Sequence, residues 1–158
     1  MPEPNARPHW YLKIPPPIWT LAMLAVAYVS RAFSPWAAEI YARSVPLAIL
    51  FGGAGLFLAV WAILIFAAEG TEIEPASEHN KTLVTRGPFR FTRNPMYSGL
   101  ILATLGVAFY FGTLPFFAVP VLLFLLVNFV FVPFEETKML RQFGAQYTEY
   151  YARVRRWI

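Results

Sequence analysis

The chain of 158 residues is 58% hydrophobic and 18% aromatic but only 14% charged, with a mean hydropathy of +0.49. A soluble domain runs at roughly 45–50% apolar and about 25% charged, and one core of this size cannot bury the excess, so lipid is expected as a second solvent. Cysteine and aspartate are missing and the only histidines are His9 and His79, which excludes disulfides, thiol nucleophiles and a Cys/His zinc centre, and no metal is expected.

The first stretch, Met1 to Lys13, holds Pro2, Glu3, Pro4 and Pro8 and is followed by no small-residue cleavage site, so the first apolar segment is expected to stay in the mature protein. That segment runs from Ile18 to about Phe33, after the Pro15-Pro16-Pro17 stop, and is interrupted near Arg31. The second, Val45 to Ala68, is long and almost free of polar groups; Gly52, Gly53 and Gly55 inside it follow no strand and predict close helix packing rather than phosphate binding. Glu69, Glu72, Glu74 and Glu78 come next and predict a solvated surface, since they lack metal-site spacing.

The third segment starts at Pro95 or Met96 and ends at Phe111, and the fourth runs from Leu114 to Val132. Only Gly112 and Thr113 separate them, which predicts a tight antiparallel hairpin. A spanning helix needs about 20 residues to cross about 30 Å of hydrocarbon. Both are short of this and must tilt or use flanking residues, with a re-entrant pair as the alternative to two spans. After Pro133 the residues Met139, Leu140, Phe143, Tyr147, Tyr150, Tyr151, Val154 and Trp157 recur at three- and four-residue steps among basic residues. This predicts an amphipathic helix along the membrane surface, weakened at Gly144. The expected fold is therefore all-α: a single membrane domain, residues 1–158, of about four spans with a polar region formed by residues 79–97 and 133–158.

Charge orients it. Arg7, Lys13, Lys81, Arg86, Arg90, Arg93, Lys138, Arg141, Arg153, Arg155 and Arg156 fall on one side of a four-span arrangement, and only Arg31 and Arg43 on the other. The positive-inside rule then places both termini in the cytoplasm. The net charge of +4 is accounted for by that asymmetry and by anionic lipid head groups, and no recognition motif accompanies it that would indicate nucleic acid.

Chemistry-bearing residues gather on that same side. Asn94 suits a helix N-cap and Pro95 the first turn, so the third segment would present free N–H groups and a positive dipole to an anion; the plainer alternative is a well-capped helix with Arg93 snorkelling. Glu135 and Glu136 follow Pro133, where carboxylates face a polar partner or simply stabilise a helix start. Neighbouring helix positions diverge by about 100°, so at most one of the pair faces a given ligand atom.

Three ordered motifs, Leu83-Val84-Thr85-Arg86-Gly87-Pro88-Phe89, then Arg93-Asn94-Pro95-Met96-Tyr97-Ser98-Gly99, then Glu135-Glu136 with Phe143-Gly144-Ala145-Gln146-Tyr147-Thr148-Glu149-Tyr150, resemble the isoprenylcysteine carboxyl methyltransferases and their small bacterial relatives, whose pattern is LVTxGxY, RHPxY and EE with FGxxYxxY. The likeness covers the half from His79 onward. Asn94 stands where that family has histidine and Lys81 where histidine often precedes LVT, with His79 close by; Asn94-Pro95-Met96-Tyr97 is also similar to the phospholipid N-methyltransferases.

The resemblance implies S-adenosylmethionine as methyl donor, S-adenosylhomocysteine as product, and a site at the cytoplasmic boundary of a bacterial inner membrane. Leu83, Val84 and Gly87 would line the cofactor by backbone, Asn94, Pro95 and Tyr97 would hold its amino-acid end, and Glu135 and Glu136 would neutralise its amine or sulfonium. The acceptor would be a membrane lipid or lipidated molecule. Arg93 would orient an acceptor carboxylate; Glu136 would take a proton from an acceptor amine. The alternative is a non-enzymatic membrane scaffold or lipid-binding protein, which leaves Glu135-Glu136 and Arg93-Asn94-Pro95 unexplained. A transporter is disfavoured because the four apolar cores hold no ionisable residue.

Overall fold

The computed structural model describes residues 10–68 and 82–157. Trp10–Lys13 is a single 3-10 turn, followed by α1 (Pro16–Phe33), the short α2 (Pro35–Ala38), α3 (Val45–Ala68), a 3-10 turn at Gly87–Arg90, α4 (Pro95–Phe111), α5 (Leu114–Leu126), a π-helical turn at Val127–Phe131, α6 (Val132–Phe143) and α7 (Ala145–Arg153). The described residues form no strand, only isolated bridges at Ile40–Thr113 and Thr92–Arg155. Pro16 and Pro17 open α1 rather than stop the chain before it, because the first helical turn has no use for their missing N–H groups.

Val45–Ala68 and Leu114–Phe143 are long and apolar enough to cross a membrane, and Pro95–Phe111 is a shorter apolar helix of 17 residues. Only 11% of the apolar window in α3 is buried. A soluble core helix would hide such residues; here Ile49, Leu50, Leu56, Phe57 and Leu64 point outward, as a lipid solvent requires.

α4 is the central helix, with α3 on one side, α5 on the other and α1 against α5. Small residues set the α3–α4 approach. A Cβ at Gly55 would lie 2.3 Å from the Ala103 nitrogen, one at Gly99 2.6 Å from the Ala59 nitrogen, and one at Gly106 2.4 Å from the Gly52 nitrogen. Close backbone packing is thus the use of Gly55, while a Cβ at Gly52 would meet only the Gly106 Cα at 4.0 Å and Gly53 faces open space.

The expected hairpin forms at Gly112, whose φ of 70° ends α4. The Tyr41 and Ala42 N–H groups donate to its carbonyl, tying the α1–α3 connection to this end of the bundle. Arg31 and Arg43 both lie here, over the rings of Phe111 and Tyr110. They are thus separated by the length of α4 from Arg93.

The region after Pro133 departs from expectation. Rather than a new surface helix, α6 continues α5 in one 30-residue helix, Leu114–Phe143. Pro133 is accommodated because the ladder widens just before it: the Val132 N–H reaches back five residues to Val127, and Pro133 needs no partner of its own. At 1.5 Å per residue such a helix exceeds the hydrocarbon by roughly 15 Å, so its last turns project beyond it. The tail breaks at Gly144 (φ 50°), turns into α7, and finishes as an extended strap, residues 154–157.

Candidate functional site

At the end of the bundle opposite the hairpin, the start of α4, the projecting turns of α6, α7 and the 82–94 loop enclose a cavity of about 320 Å³, near the lower end of the range for small-molecule sites. The loop is anchored from below: Val84 and Phe89 are buried against Ala62, and the Phe89 ring lies 5.1 Å from that of Phe66 on α3. From above, the Tyr150 hydroxyl donates to the Phe89 carbonyl at 2.8 Å. Burial, then the neighbouring Tyr147, pushes the Tyr150 phenol well above its usual range, so it stays a protonated donor.

The most connected group is the guanidinium of Arg93. It donates to Glu136 Oε1 at 2.8 Å, to the Tyr151 carbonyl at 3.1 Å and to the Val154 carbonyl, and it lies 3.9 Å from the centre of the Tyr151 ring. Its side chain is 7% exposed. Glu136 is shared: Arg156 donates to it from Nε at 3.1 Å and from its terminal nitrogen. Both carboxylate oxygens are therefore occupied by cations.

Glu135 is placed differently. Its Oε1 accepts from the Tyr97 hydroxyl, which aims the carboxylate into the cavity across from α4. The helix geometry anticipated this division of labour, since adjacent positions on α6 cannot face the same point. Tyr147, 5% exposed and on the cavity wall, completes the polar end; burial and then the negative charge of Glu136 push its phenol up, so it too stays neutral.

Of the residues expected in the site, Leu83, Val84, Arg93, Asn94, Pro95, Tyr97, Glu135 and Glu136 all line this cavity. Gly87 does not. It adopts φ 60° to open the 3-10 turn and lies against α3, where a Cβ would sit 3.1 Å from Ile65, so its backbone serves the turn. Asn94 is at the N-cap position but its side chain does not cap: it turns away and donates to the Arg156 carbonyl at 3.0 Å, while Thr92 Oγ1 accepts from the Asn94 N–H at 3.2 Å. The first turn of α4 thus keeps its N–H groups clear of a side-chain cap. Arg93 and Glu136, expected to act on the acceptor, are bound to each other. The loop acids Glu69, Glu72, Glu74 and Glu78, together with Arg7, His9, His79 and Lys81, lie outside the described residues.

Some lining residues were not anticipated. Ala59, Ile63 and Phe66 of α3 and Pro15–Pro17 at the start of α1 give the cavity an apolar wall, and apolar residues in apolar segments carry no signal that would single them out. The strap was also missed: Trp157 Nε1 donates to Asn128 Oδ1 at 2.9 Å. Asn128, a lone amide in an apolar run, was the signal that a partner was needed. Among the described residues no cluster of acids and histidines could hold a metal ion.

The phospholipid methyltransferase family model matches residues 43–146, from just before α3 to the first turn of α7. No curated protein and no solved structure matches the chain.

Proposed function

The chain belongs to the phospholipid methyltransferase family, which makes it a membrane methyltransferase, and on that premise we propose that it transfers a methyl group from S-adenosylmethionine to a lipid or lipidated acceptor in the cavity between α4, α6 and α7. The observation that carries this reading is the convergence of an uncapped helix start, a cavity-facing carboxylate and neutral phenols on one largely apolar cavity. Those groups fit the donor: N–H groups at the start of α4 suit its carboxylate, Glu135 suits its cationic centres, and the Tyr147 ring face tolerates a sulfonium. When bound, S-adenosylmethionine supplies an electrophilic methyl on a cationic sulfonium.

The chain's own part is to position and to exclude water. Glu135, held by Tyr97 and pushed up to about 7 by burial, contributes the negative charge when a cationic donor lies beside it. Glu136 contributes order, since both its oxygens already hold Arg93 and Arg156. For an amine acceptor Glu135 is accordingly the base we assign in place of Glu136; a carboxylate acceptor needs none. Arg93 we assign as a positioning residue, because its donors already hold Glu136 and two carbonyls of the tail. The wall formed by Ala59, Ile63 and Leu100 lies on helices that face lipid elsewhere, so the acceptor is proposed to enter sideways from the bilayer. A scaffold or lipid-binding role would leave the Glu135–Tyr97 pair without a purpose.

Calorimetry with S-adenosylhomocysteine in nanodiscs tests the donor: binding to the unmutated protein, weakened in Asn94→Ala, is expected, and no heat at millimolar ligand overturns the reading. Labelled S-adenosylmethionine with membrane extracts tests the acceptor, where label confined to aqueous products would refute a membrane-borne one. We further propose four spans with both termini cytoplasmic. Because the chain has no cysteine, an impermeant thiol reagent applied to intact cells should label Ala38→Cys and spare Ala152→Cys; the reverse pattern inverts the topology.

A further inference from the structure

The strap 154–157 lies beyond the residues matched by the family, which end at 146, and one of its residues holds both sides of the cavity at once. The Arg156 carbonyl accepts from Asn94 Nδ2 at 3.0 Å and from Thr92 Oγ1 at 2.9 Å, which fixes the start of α4. Its guanidinium grips both oxygens of Glu136 on α6. The Arg93 N–H donates to the neighbouring Arg155 carbonyl at 2.9 Å, so the strap runs beside the loop as a short parallel bridge.

The geometry points to Arg156 as a positioning residue for methyl transfer: it sets the separation of Asn94 and the Glu135-Glu136 turn without itself lining the cavity. This rests on the proposed donor site. Its two attachments are chemically separate, the main chain serving α4 and the side chain serving α6. Arg156→Ala therefore leaves Glu136 on α6 with Arg93 alone of its two cations, while keeping the carbonyl that orders Asn94. A mere anchor would behave differently, and the strap contains one for comparison: Trp157, whose indole bonds Asn128 and packs 5.2 Å from the Phe124 ring, away from the cavity.

The test compares Arg156→Ala, Arg156→Lys and Trp157→Phe in nanodiscs, measuring the dissociation constant for S-adenosylhomocysteine and the melting midpoint without ligand. A bidentate charge-assisted contact that is one-third exposed supports about a fivefold to tenfold effect. We expect Arg156→Ala to weaken binding by about that factor and Arg156→Lys by less, because an ammonium restores the charge but not the fork. Trp157→Phe should lower the melting midpoint and leave the dissociation constant within twofold. Unchanged binding in Arg156→Ala, or equal losses of affinity in Arg156→Ala and Trp157→Phe, overturns the positioning role alone. Failure of the unmutated protein to bind overturns the donor site and this role with it. Should Arg156→Ala not fold, Arg156→Lys decides, since a folded lysine variant with full affinity also refutes the role.

Discussion

The two ends of α4 are held by different physics. At the Gly112 end the neighbours are tied by backbone: Tyr41 and Ala42 donate to the Gly112 carbonyl, Ser44 to that of Phe109, and the nearby cations Arg31 and Arg43 rest on aromatic rings. At the Pro95 end side chains reach across 20 to 43 residues of sequence, Arg93 and Arg156 to Glu136 from opposite sides and Tyr97 to Glu135. Backbone ties tolerate many side chains, whereas side-chain networks demand particular ones. The difference assigns structure to one end and chemistry to the other.

Close packing on α3 holds α4 between its two ends, and the largest expected effect comes from breaking that packing. Gly55→Val places branched carbons on the backbone of α4, where 2.3 Å is available, and is expected to cost about 3 kcal/mol. Thermal unfolding in detergent would show it as a lost or strongly lowered transition, with Gly53→Val, which faces open space, as the neutral control.

Within the Pro95 end, the two adjacent acids should separate stability from affinity. Glu136→Gln strips the shared carboxylate from Arg93 and Arg156 and is expected to cost about 2 kcal/mol of stability, below the 3–5 seen for fully buried pairs because Arg156 is partly exposed. Glu135→Gln keeps a hydrogen-bond acceptor for Tyr97 but removes the charge; about a tenfold loss of S-adenosylhomocysteine affinity, or about 1.4 kcal/mol, is expected with little change in melting. If both variants lose affinity equally and stability equally, the division between them is wrong.

The smallest effect is expected at the other end. Arg31→Ala removes a cation from the Phe111 face, about 0.5–1 kcal/mol of stability, and should leave ligand affinity within twofold. A loss of affinity comparable to that of Glu135→Gln would show that the hairpin end communicates with the cavity and would dissolve the contrast.

Composition and residue order sufficed for much of this. The excess of apolar residues required lipid, Gly112-Thr113 required a hairpin, and Gly52, Gly53 and Gly55 called for close helix packing, which Gly55 provides and Gly53 does not; each reading follows from local geometry or solvation that one segment carries by itself. Asn94-Pro95 likewise marked the start of α4 and Glu135-Glu136 marked polar groups in need of partners. Which partners they found was decided only by the tertiary structure. Asn94 gave up its capping bond for the Arg156 carbonyl, Arg93 and Glu136 closed on each other, and α6 ran on through Pro133 because a π turn absorbed the proline. The first two choices rest on groups 62 and 43 residues apart, and a donor with several acceptors within reach is settled by where the packed helices bring them, which local sequence does not encode.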